Sequence, residues 1–167
     1  SKDLQFRPVS HSPSLRSRTP LKLAVISHNL DQEGAQTTLV ELLKGLVEAG
    51  VVSPTIISSR DGKLAPLLHE LGCPIRIVPA PRRRMKPREL AAYENAIQME
   101  LKECGAELVL ANTLESFAAI NVASQLNIGS LWWQHEGGDW NAYLKRWPSH
   151  ARRKILTAFA QAYRVVQ

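Results

Sequence analysis

The stretch KLAVISHNLDQEGAQTTLVELLKGLVEAG, residues 22–50, decides the fold of this 167-residue chain. It begins with a short apolar run, residues 23–27, which is typical of a buried parallel strand. A polar loop follows over residues 28–34, and leucines and valines then recur at helical spacing up to Gly50, where a helix is predicted to stop. A strand, a loop and an amphipathic helix in this order form the first half of a βαβ unit.

The same alternation of strands and helices continues along the rest of the chain. Further strands are predicted at residues 55–58, 75–78, 107–111, 131–133 and 164–167, and helices at 63–71, 87–103, 114–126 and, as one or two segments, within 140–162. Strands that alternate with helices form a parallel sheet covered on both faces. We therefore predict an α/β, Rossmann-like three-layer domain over residues 21–167, with a mostly parallel sheet of about six strands.

The beginning of the chain has a different composition. Residues 1–20 are rich in Ser, Pro and Arg and lack periodicity, so they are predicted to form a disordered linker or arm. They also lack the apolar stretch of an export signal. Because the chain starts without methionine and has the length of one domain, it is predicted to be a piece of a longer protein. Cys73 and Cys104 are predicted to be buried free thiols in a reducing cytoplasm.

The net charge of +6 is concentrated in three basic clusters. The clusters are Lys2, Arg7, Arg16 and Arg18; Arg82, Arg83, Arg84, Lys86 and Arg88; and Lys145, Arg146, Arg152, Arg153 and Lys154. Such clusters indicate contact with phosphate, nucleic acid or a membrane surface, or else solvated faces without a dedicated partner. No nucleic-acid-binding motif accompanies them, so no nucleic-acid partner is expected.

Ligands of doubly wound sheets bind outside the carboxyl ends of the strands, where the strand order reverses. The loops after the first, fourth and fifth strands are therefore the candidate site. In the first loop, Gly34 and Ala35 open a helix whose free N–H groups and macrodipole favour a phosphate. A plain turn into a helix is the alternative, because the G-x-G-x-x-G fingerprint of dinucleotide sites is absent.

The loop after the fifth strand carries the candidate catalytic residue, His135. An imidazole can donate a hydrogen bond or shuttle a proton near neutral pH, and the neighbouring Glu136 and Asp139 can tune it. Gly137 and Gly138 allow the backbone to approach a ligand closely. The tryptophans nearby suit sugar stacking, but core packing explains them better.

The fourth strand is followed by Asn112 and Thr113. Asn112 can hydrogen-bond a ligand hydroxyl, although either residue can instead cap the next helix. No metal site is expected, since the 5 histidines show no ligand spacing and no H-E-x-x-H motif occurs. Motifs for a hydrolase nucleophile elbow and for a P-loop are also absent.

Taken together, these segments resemble the N-terminal domain of family 4 glycosyltransferases, which have the GT-B fold. The resemblance covers about residues 21–167 and rests on Glu33-Gly34-Ala35-Gln36, Asp61-Gly62, Gly72-Cys73-Pro74, residues 107–113, Trp132-Trp133-Gln134-His135-Glu136 and Tyr163-Arg164-Val165-Val166. The sequence departs from the family pattern at Glu33, where a glycine is usual, and at Gln36, where glutamate is common.

The resemblance implies a retaining transfer of a hexosyl group from a nucleotide-sugar donor to an acceptor hydroxyl, with no metal or other cofactor. It implies that Gly34 and Ala35 face the donor diphosphate and that His135 contacts the donor sugar. Acceptor or sugar contacts are expected from Asn112, Thr113, Glu136 and Asp139. Arg82, Arg83, Arg84, Lys86 and Arg88 are expected to touch an anionic membrane or a lipid-linked acceptor, with a mobile basic loop as the alternative.

For the whole protein, the resemblance implies a cytoplasmic enzyme, or one peripheral on the inner membrane face, that makes cell-surface polysaccharide or lipopolysaccharide. A C-terminal domain of the same polypeptide is expected to bind most of the donor, so this part alone is expected to be inactive. The competing hypotheses are a non-catalytic Rossmann-like binding module, a nucleic-acid-binding domain, and a nucleotide-dependent epimerase or dehydrogenase. The missing glycine fingerprint disfavours the last of these.

Overall fold

Strands and helices alternate along the part of the chain that the computed structural model describes, residues 19–137 and 139–166. In chain order the elements are β1 (Leu21–Ser27), α1 (Gly34–Glu48), β2 (Val52–Ser58), α2 (Ala65–Glu70), β3 (Ile75–Ile77), α3 (Pro87–Glu103), β4 (Leu108–Asn112), a 3₁₀ helix (Leu114–Ser116), α4 (Phe117–Gln125), β5 (Gly129–Trp133), α5 (Trp140–Leu144), α6 (Ser149–Gln161) and β6 (Arg164–Val166).

The strands form one six-stranded sheet in the order β3-β2-β1-β4-β5-β6. All five neighbouring pairs in this sheet are parallel. The predicted α/β fold with about six strands is therefore confirmed. The order reverses between β1 and β4, because the chain leaves β3 at one edge and returns to the middle of the sheet through α3. Such a reversal opens a crevice at the carboxyl ends of the two central strands.

Helices cover both faces of the sheet and complete three layers. On one face, Leu39 and Leu43 of α1 pack with Val25 of β1. On the other face, Ile97 of α3 packs with Ile26 of β1. The predicted apolar stripe of α1 is correct except at Leu42, which is 38% exposed.

Helix α3 begins and ends where the sequence predicts. Pro87 occupies its first turn, where the missing N–H of proline costs nothing. The N–H of Lys86 donates to Glu89 Oε2 at 2.6 Å, which fixes the start of the helix. The predicted stripe faces the core: Leu90, Ile97 and Leu101 are buried and Tyr93 is half-buried.

Strand β2 begins three residues earlier than predicted and runs through Pro54. Proline normally argues against an inner strand because it cannot donate to the ladder. Here Ile56 N–H donates to Pro74 on the β3 side, and residues two apart along a strand point the same way. The missing N–H of Pro54 therefore points to the β3 side at a level where β3, which first pairs at Ile56, has not begun.

The helix predicted over residues 114–126 is divided into a 3₁₀ turn and α4. The hydroxyl Oγ of Ser116 lies 2.7 Å from the carbonyl oxygen of Asn112 and 3.3 Å from that of Ile26. These contacts connect the first turn to the ends of β4 and β1, and the chain forms a 3₁₀ turn there before α4 begins. The start of α4 is thereby fixed beside the crevice.

Several predictions fall outside the described residues. These are the arm over residues 1–18 with its basic cluster, Gly138, and the last residue of β6, Gln167. Both cysteines are free thiols. Cys73 is buried as predicted, whereas Cys104 is half-buried, so the predicted full burial of Cys104 is wrong. Within residues 19–137 and 139–166, no helix combines the length and apolar character needed to cross a membrane.

Candidate functional site

The crevice brings together polar side chains from the loops after β1, β4 and β5. His28 Nδ1 lies 3.0 Å from Thr113 Oγ1, and His135 Nε2 lies 2.9 Å from Asn112 Oδ1. The two histidines are thus each held by one of two consecutive residues at the end of β4. A continuous chain of contacts runs from His135 through Asn112 and Thr113 to His28.

Asn112 is the last residue of β4 and is fully buried, while His135 is exposed. Because an amide oxygen only accepts hydrogen bonds, Nε2 of His135 carries a proton and donates it to Asn112 Oδ1. The ring also lies against Trp133, with 4.7 Å between the ring centroids. Asn112 Nδ2 is buried and has no partner among the described residues. The pair therefore offers a fixed imidazole and one unused amide donor.

Glu136 connects the loop after β5 to the start of the 3₁₀ helix. Its Oε1 accepts from the N–H of Leu114 at 2.8 Å, and its Oε2 accepts from the N–H of His135 at 3.1 Å. Gln134, with its amide oriented to satisfy its hydrogen bonds, donates to Oε2 at 3.0 Å. Both carboxylate oxygens are thus engaged within the protein. The predicted role of Glu136 as an acceptor or sugar contact stays a prediction.

Thr113 has a strained backbone, with φ 70° and ψ 165°. Glycine alone adopts this region readily, and another residue there costs about 1–3 kcal/mol. The N–H of Thr113 donates to the Trp133 carbonyl at 2.8 Å, and its carbonyl accepts from Trp132 Nε1 at 2.8 Å. These bonds hold Thr113 in place and direct its hydroxyl to His28. Strain of this kind clusters at functional sites.

The N-terminus of α1 opens into the same crevice. Gly34 is exposed, and a side chain there would meet no atom within 4 Å. No side chain caps the helix, so the first N–H groups, from Gly34 and Ala35, are available to an anion. Glu33 is the N-cap of α1, and its carboxylate works against an anion here because like charges repel. Its Oε2 lies 3.9 Å from His28 Nε2. Gln36 is buried beside His28, with its Nε2 at 3.3 Å from the ring.

The loop after β1 is positioned by the turn after β2. A Cβ added at Gly62 would overlap the backbone of Leu30, so glycine is required for this close approach. The N–H of Leu64 also donates to the Leu30 carbonyl at 2.9 Å. The Asp61-Gly62 pair noted in the sequence therefore helps to hold the His28 loop.

A cavity of about 330 Å³ lies on the other side of His28. Its lining combines three arginines and one carboxylate with apolar and aromatic side chains: Arg60, Arg82, Arg83 and Glu115 with Met85, Leu90, Tyr93, Phe117 and Trp147. Burial raises the pKa of the Tyr93 hydroxyl above its ordinary value. The cavity opens at the carboxyl edge of the sheet and shares His28 with the polar crevice.

Arg83 is fixed in the wall of this cavity. Its Nη2 lies 2.5 Å from Glu115 Oε1, and its guanidinium carbon lies 5.6 Å from the Tyr143 ring centroid and 5.7 Å from that of Trp147. The hydrogen bond to Glu115 raises the pKa of Arg83 further above its ordinary value. The side chain is therefore a permanent cation, 42% exposed, with one ion pair and two ring contacts holding its guanidinium.

The predicted basic segment is divided by the structure. All five residues are exposed, and Arg82 and Arg83 also line the cavity, whereas Arg84, Lys86 and Arg88 do not. The structure tests neither the membrane contact nor the acceptor contact expected of them.

Asp139 is exposed, and its carbonyl accepts from Tyr143 N–H at 3.1 Å at the start of α5. Over the described ranges, no three His, Cys, Asp or Glu side chains come together as metal ligands would.

Sequence reasoning did not select His28 as a site residue. A signal was available, because His28 follows β1 directly and so had to lie at the carboxyl edge. Trp147 and Glu115 offered no such signal, because they reach the cavity only through the packing of the segment after α5 and of the 3₁₀ turn against residues 80–85.

Comparison with solved structures finds the same fold in nucleotide-sugar proteins. Anabaena Alr3699/HepE in complex with UDP and glucose is 15% identical with a TM-score of 0.64; the match covers 87% of this chain and 37% of that one. A glycosyltransferase from Rickettsia africae is 16% identical with a TM-score of 0.61, over 79% of this chain and 34% of its own. A UDP-N-acetylglucosamine 2-epimerase is 13% identical with a TM-score of 0.56, over 87% and 41%.

No protein-family profile matches the chain, and no curated protein matches it in sequence. The chain spans only 34% to 41% of the length of the three solved structures. At such low identity the likeness shows the fold alone: a Rossmann-like domain of the kind found in GT-B glycosyltransferases.

Proposed function

We propose that this chain is the acceptor-side domain of a glycosyltransferase that moves a sugar from a nucleotide-sugar donor to an acceptor hydroxyl. The observation that carries the proposal is the crevice between β1 and β4, which joins an uncapped helix N-terminus, two anchored histidines and a cavity at one edge of the sheet. Solved structures of the same fold support it, because one of them holds UDP and glucose.

The donor diphosphate is proposed to lie at the N-terminus of α1, against the N–H groups of Gly34 and Ala35. Negative charge develops on this group as the sugar leaves, and oriented N–H donors stabilise it without a metal ion. His135 is proposed to contact the donor sugar as the catalytic residue. Its fit to this role rests on the fixed ring orientation that Asn112 imposes.

The acceptor is proposed to lie in the cavity beside His28, on the other side of the crevice. Asn112 and Thr113 lie between His135 on the donor side and His28 on the acceptor side. Asn112 Nδ2 is a buried donor without a partner among the described residues. We also propose sugar or acceptor contacts from Glu136 and Asp139.

The finer proposals follow the family 4 resemblance. They are a retaining hexosyl transfer, a C-terminal domain of the same polypeptide that holds most of the donor, and no metal or cofactor requirement. A role in cell-surface polysaccharide or lipopolysaccharide synthesis, in the cytoplasm or on the inner membrane face, completes them. Arg84, Lys86 and Arg88 are the residues proposed to contact an anionic membrane or a lipid-linked acceptor, together with the cavity arginines, Arg82 and Arg83.

The test is product analysis with the complete polypeptide that contains this sequence. The protein is incubated with UDP-glucose and other nucleotide sugars and a panel of acceptors, and products are identified by mass spectrometry. We expect a new glycoside with the anomeric configuration of the donor, and no product from the 167-residue chain alone.

Two other results would lead to different functions. An isomerised nucleotide sugar without transfer would favour an epimerase, a class whose solved structure shares this fold. Nucleotide-sugar binding without any product would favour the non-catalytic binding module. The fold by itself does not decide between these classes.

A further inference from the structure

We propose that the cavity beside His28 takes an acceptor with one anionic group, a phosphate or a carboxylate, on a compact apolar or ring-shaped body. This inference rests on the proposed function, because it names the acceptor class for the same site. It assigns Arg82 and Arg83 to ligand recognition within the cavity, apart from any membrane contact of the neighbouring Arg84.

The charge of the lining carries the anionic part. The cavity wall contains three guanidinium groups and one carboxylate. Arg60 pairs with Asp31 at 2.7 Å and Arg83 with Glu115, while Arg82 has no ion pair among the described residues. Each guanidinium has five N–H donors, so a paired arginine still keeps donors for a ligand oxygen. The lining therefore has positive charge in excess and unused donors.

The fixed position of Arg83 favours a specific site over diffuse attraction. Glu115, Tyr143 and Trp147 restrict its guanidinium from several directions. A side chain that is already ordered loses little entropy when a ligand binds. Arginine also matches phosphate and carboxylate with two parallel hydrogen bonds, which a lysine cannot provide.

The remaining walls determine the body of the ligand. Met85, Leu90, Tyr93, Phe117 and Trp147 are buried or half-buried and supply an apolar surface. The volume of about 330 Å³ lies at the small end of ligand sites, which suits a single ring rather than a chain. His28 lines the same cavity, so a ring seated there has an imidazole beside it and the polar crevice beyond.

Binding to the 167-residue chain tests the inference with simple probes. Phenyl phosphate and benzoate supply the two anionic groups on a ring, benzyl alcohol supplies the ring without charge, and inorganic phosphate supplies the charge without a ring. Affinities are measured by NMR at physiological salt, with the indole N–H signal of Trp147 as the reporter. The variants are Arg82→Gln and Arg83→Gln, and the control is Lys44→Gln, which removes an exposed cation on α1 that does not line the cavity.

We expect at least one anionic ring to bind about fivefold or more tighter than benzyl alcohol and than inorganic phosphate, since a charge-assisted hydrogen bond adds to ring burial. Whichever of phenyl phosphate and benzoate binds more tightly identifies the group. Arg82→Gln and Arg83→Gln should each weaken that binding about fivefold or more, and Arg83→Gln more strongly, because it leaves the Glu115 carboxylate unbalanced. Lys44→Gln should change it less than about twofold.

Three results would overturn the inference: equal effects of all three variants, equal affinity for benzyl alcohol and the anionic rings, or equal affinity for inorganic phosphate. If any of these three binding results is found while the complete protein still transfers sugar, the proposed acceptor class is refuted and the glycosyltransferase proposal stands. Anionic binding as expected, without sugar transfer, refutes the glycosyltransferase proposal and leaves the cavity as an anion site.

Discussion

Glu136→Ala is expected to destabilise the domain by releasing the start of the 3₁₀ helix. The Glu136 carboxylate accepts from the N–H of Leu114 at 2.8 Å, and Leu114 is fully buried. Without the carboxylate, that N–H loses its charged acceptor, which costs about 1.5–3 kcal/mol. The bond from His135 adds little, because His135 is exposed.

Urea unfolding followed by circular dichroism measures this cost. With a slope near 2 kcal/mol per molar urea, a loss of about 2 kcal/mol lowers the midpoint by about 1 M. Glu136→Gln keeps a carbonyl oxygen for the Leu114 N–H and should lose only about half as much. Glu41→Ala, an exposed position on α1, is the control and should stay within about 0.5 kcal/mol of wild type.

A urea midpoint for Glu136→Ala no lower than that of Glu41→Ala would show that the bond from the Leu114 N–H to Glu136 does not stabilise the domain. It would mean that the Glu136 carboxylate is free in solution and available to a ligand. The same variants in the complete protein then separate the two roles. Loss of transfer by Glu136→Gln at nearly full stability would indicate a direct contact with acceptor or sugar.

Three further predictions concern the crevice and the thiols. Glu33→Gln should tighten UDP binding by the complete protein about threefold in a calorimetric titration, because it removes a carboxylate near the proposed phosphate position, while Glu41→Gln should leave it unchanged. Thr113→Gly should be about 1–2 kcal/mol more stable in urea than Thr113→Ala, since both lose the hydroxyl but only glycine relieves the strained φ of 70°; equal stabilities would show that no strain is stored there. Burial raises the pKa of Cys73 and of Cys104, so both should react slowly with a thiol reagent until urea unfolds the chain. Their contribution to stability is fully present below the unfolded thiol pKa of about 8.5 and is lost as the pH rises through the higher folded values, so an unfolding midpoint that did not fall in alkaline buffer would contradict the shift.

Much of the fold could be predicted because local signals and tertiary packing agree. Helix α3 shows this best, since Pro87 marks its start and its apolar stripe faces the core as the spacing requires. The first half of strand β2 could not be predicted, because Pro54 argues against a strand there. The strand tolerates this proline because β3 pairs with it only from Ile56 onward. The split before α4 depends on Ser116 bonding to two other strands, which no local pattern contains.

The candidate site was predicted in outline through the rule that ligands meet the carboxyl ends of parallel strands. The structure brings His135 and Asn112 into contact and adds His28 through Thr113. The internal bonding of Glu136 could not be predicted, because its partner Leu114 lies 22 residues away in sequence. The cavity also could not be predicted from the sequence, because it depends on how residues 80–85 pack on Phe117 and Trp147.

The turnover rate of His135→Ala in the complete protein tests whether sugar transfer takes place at the crevice between β1 and β4. His69→Ala, an exposed histidine on α2, is the matched control. We expect His135→Ala to lower kcat for sugar transfer by about a hundredfold or more at unchanged stability, while His69→Ala leaves kcat intact. Sugar transfer by His135→Ala at the wild-type rate would show that His135 is not the catalytic residue of this crevice.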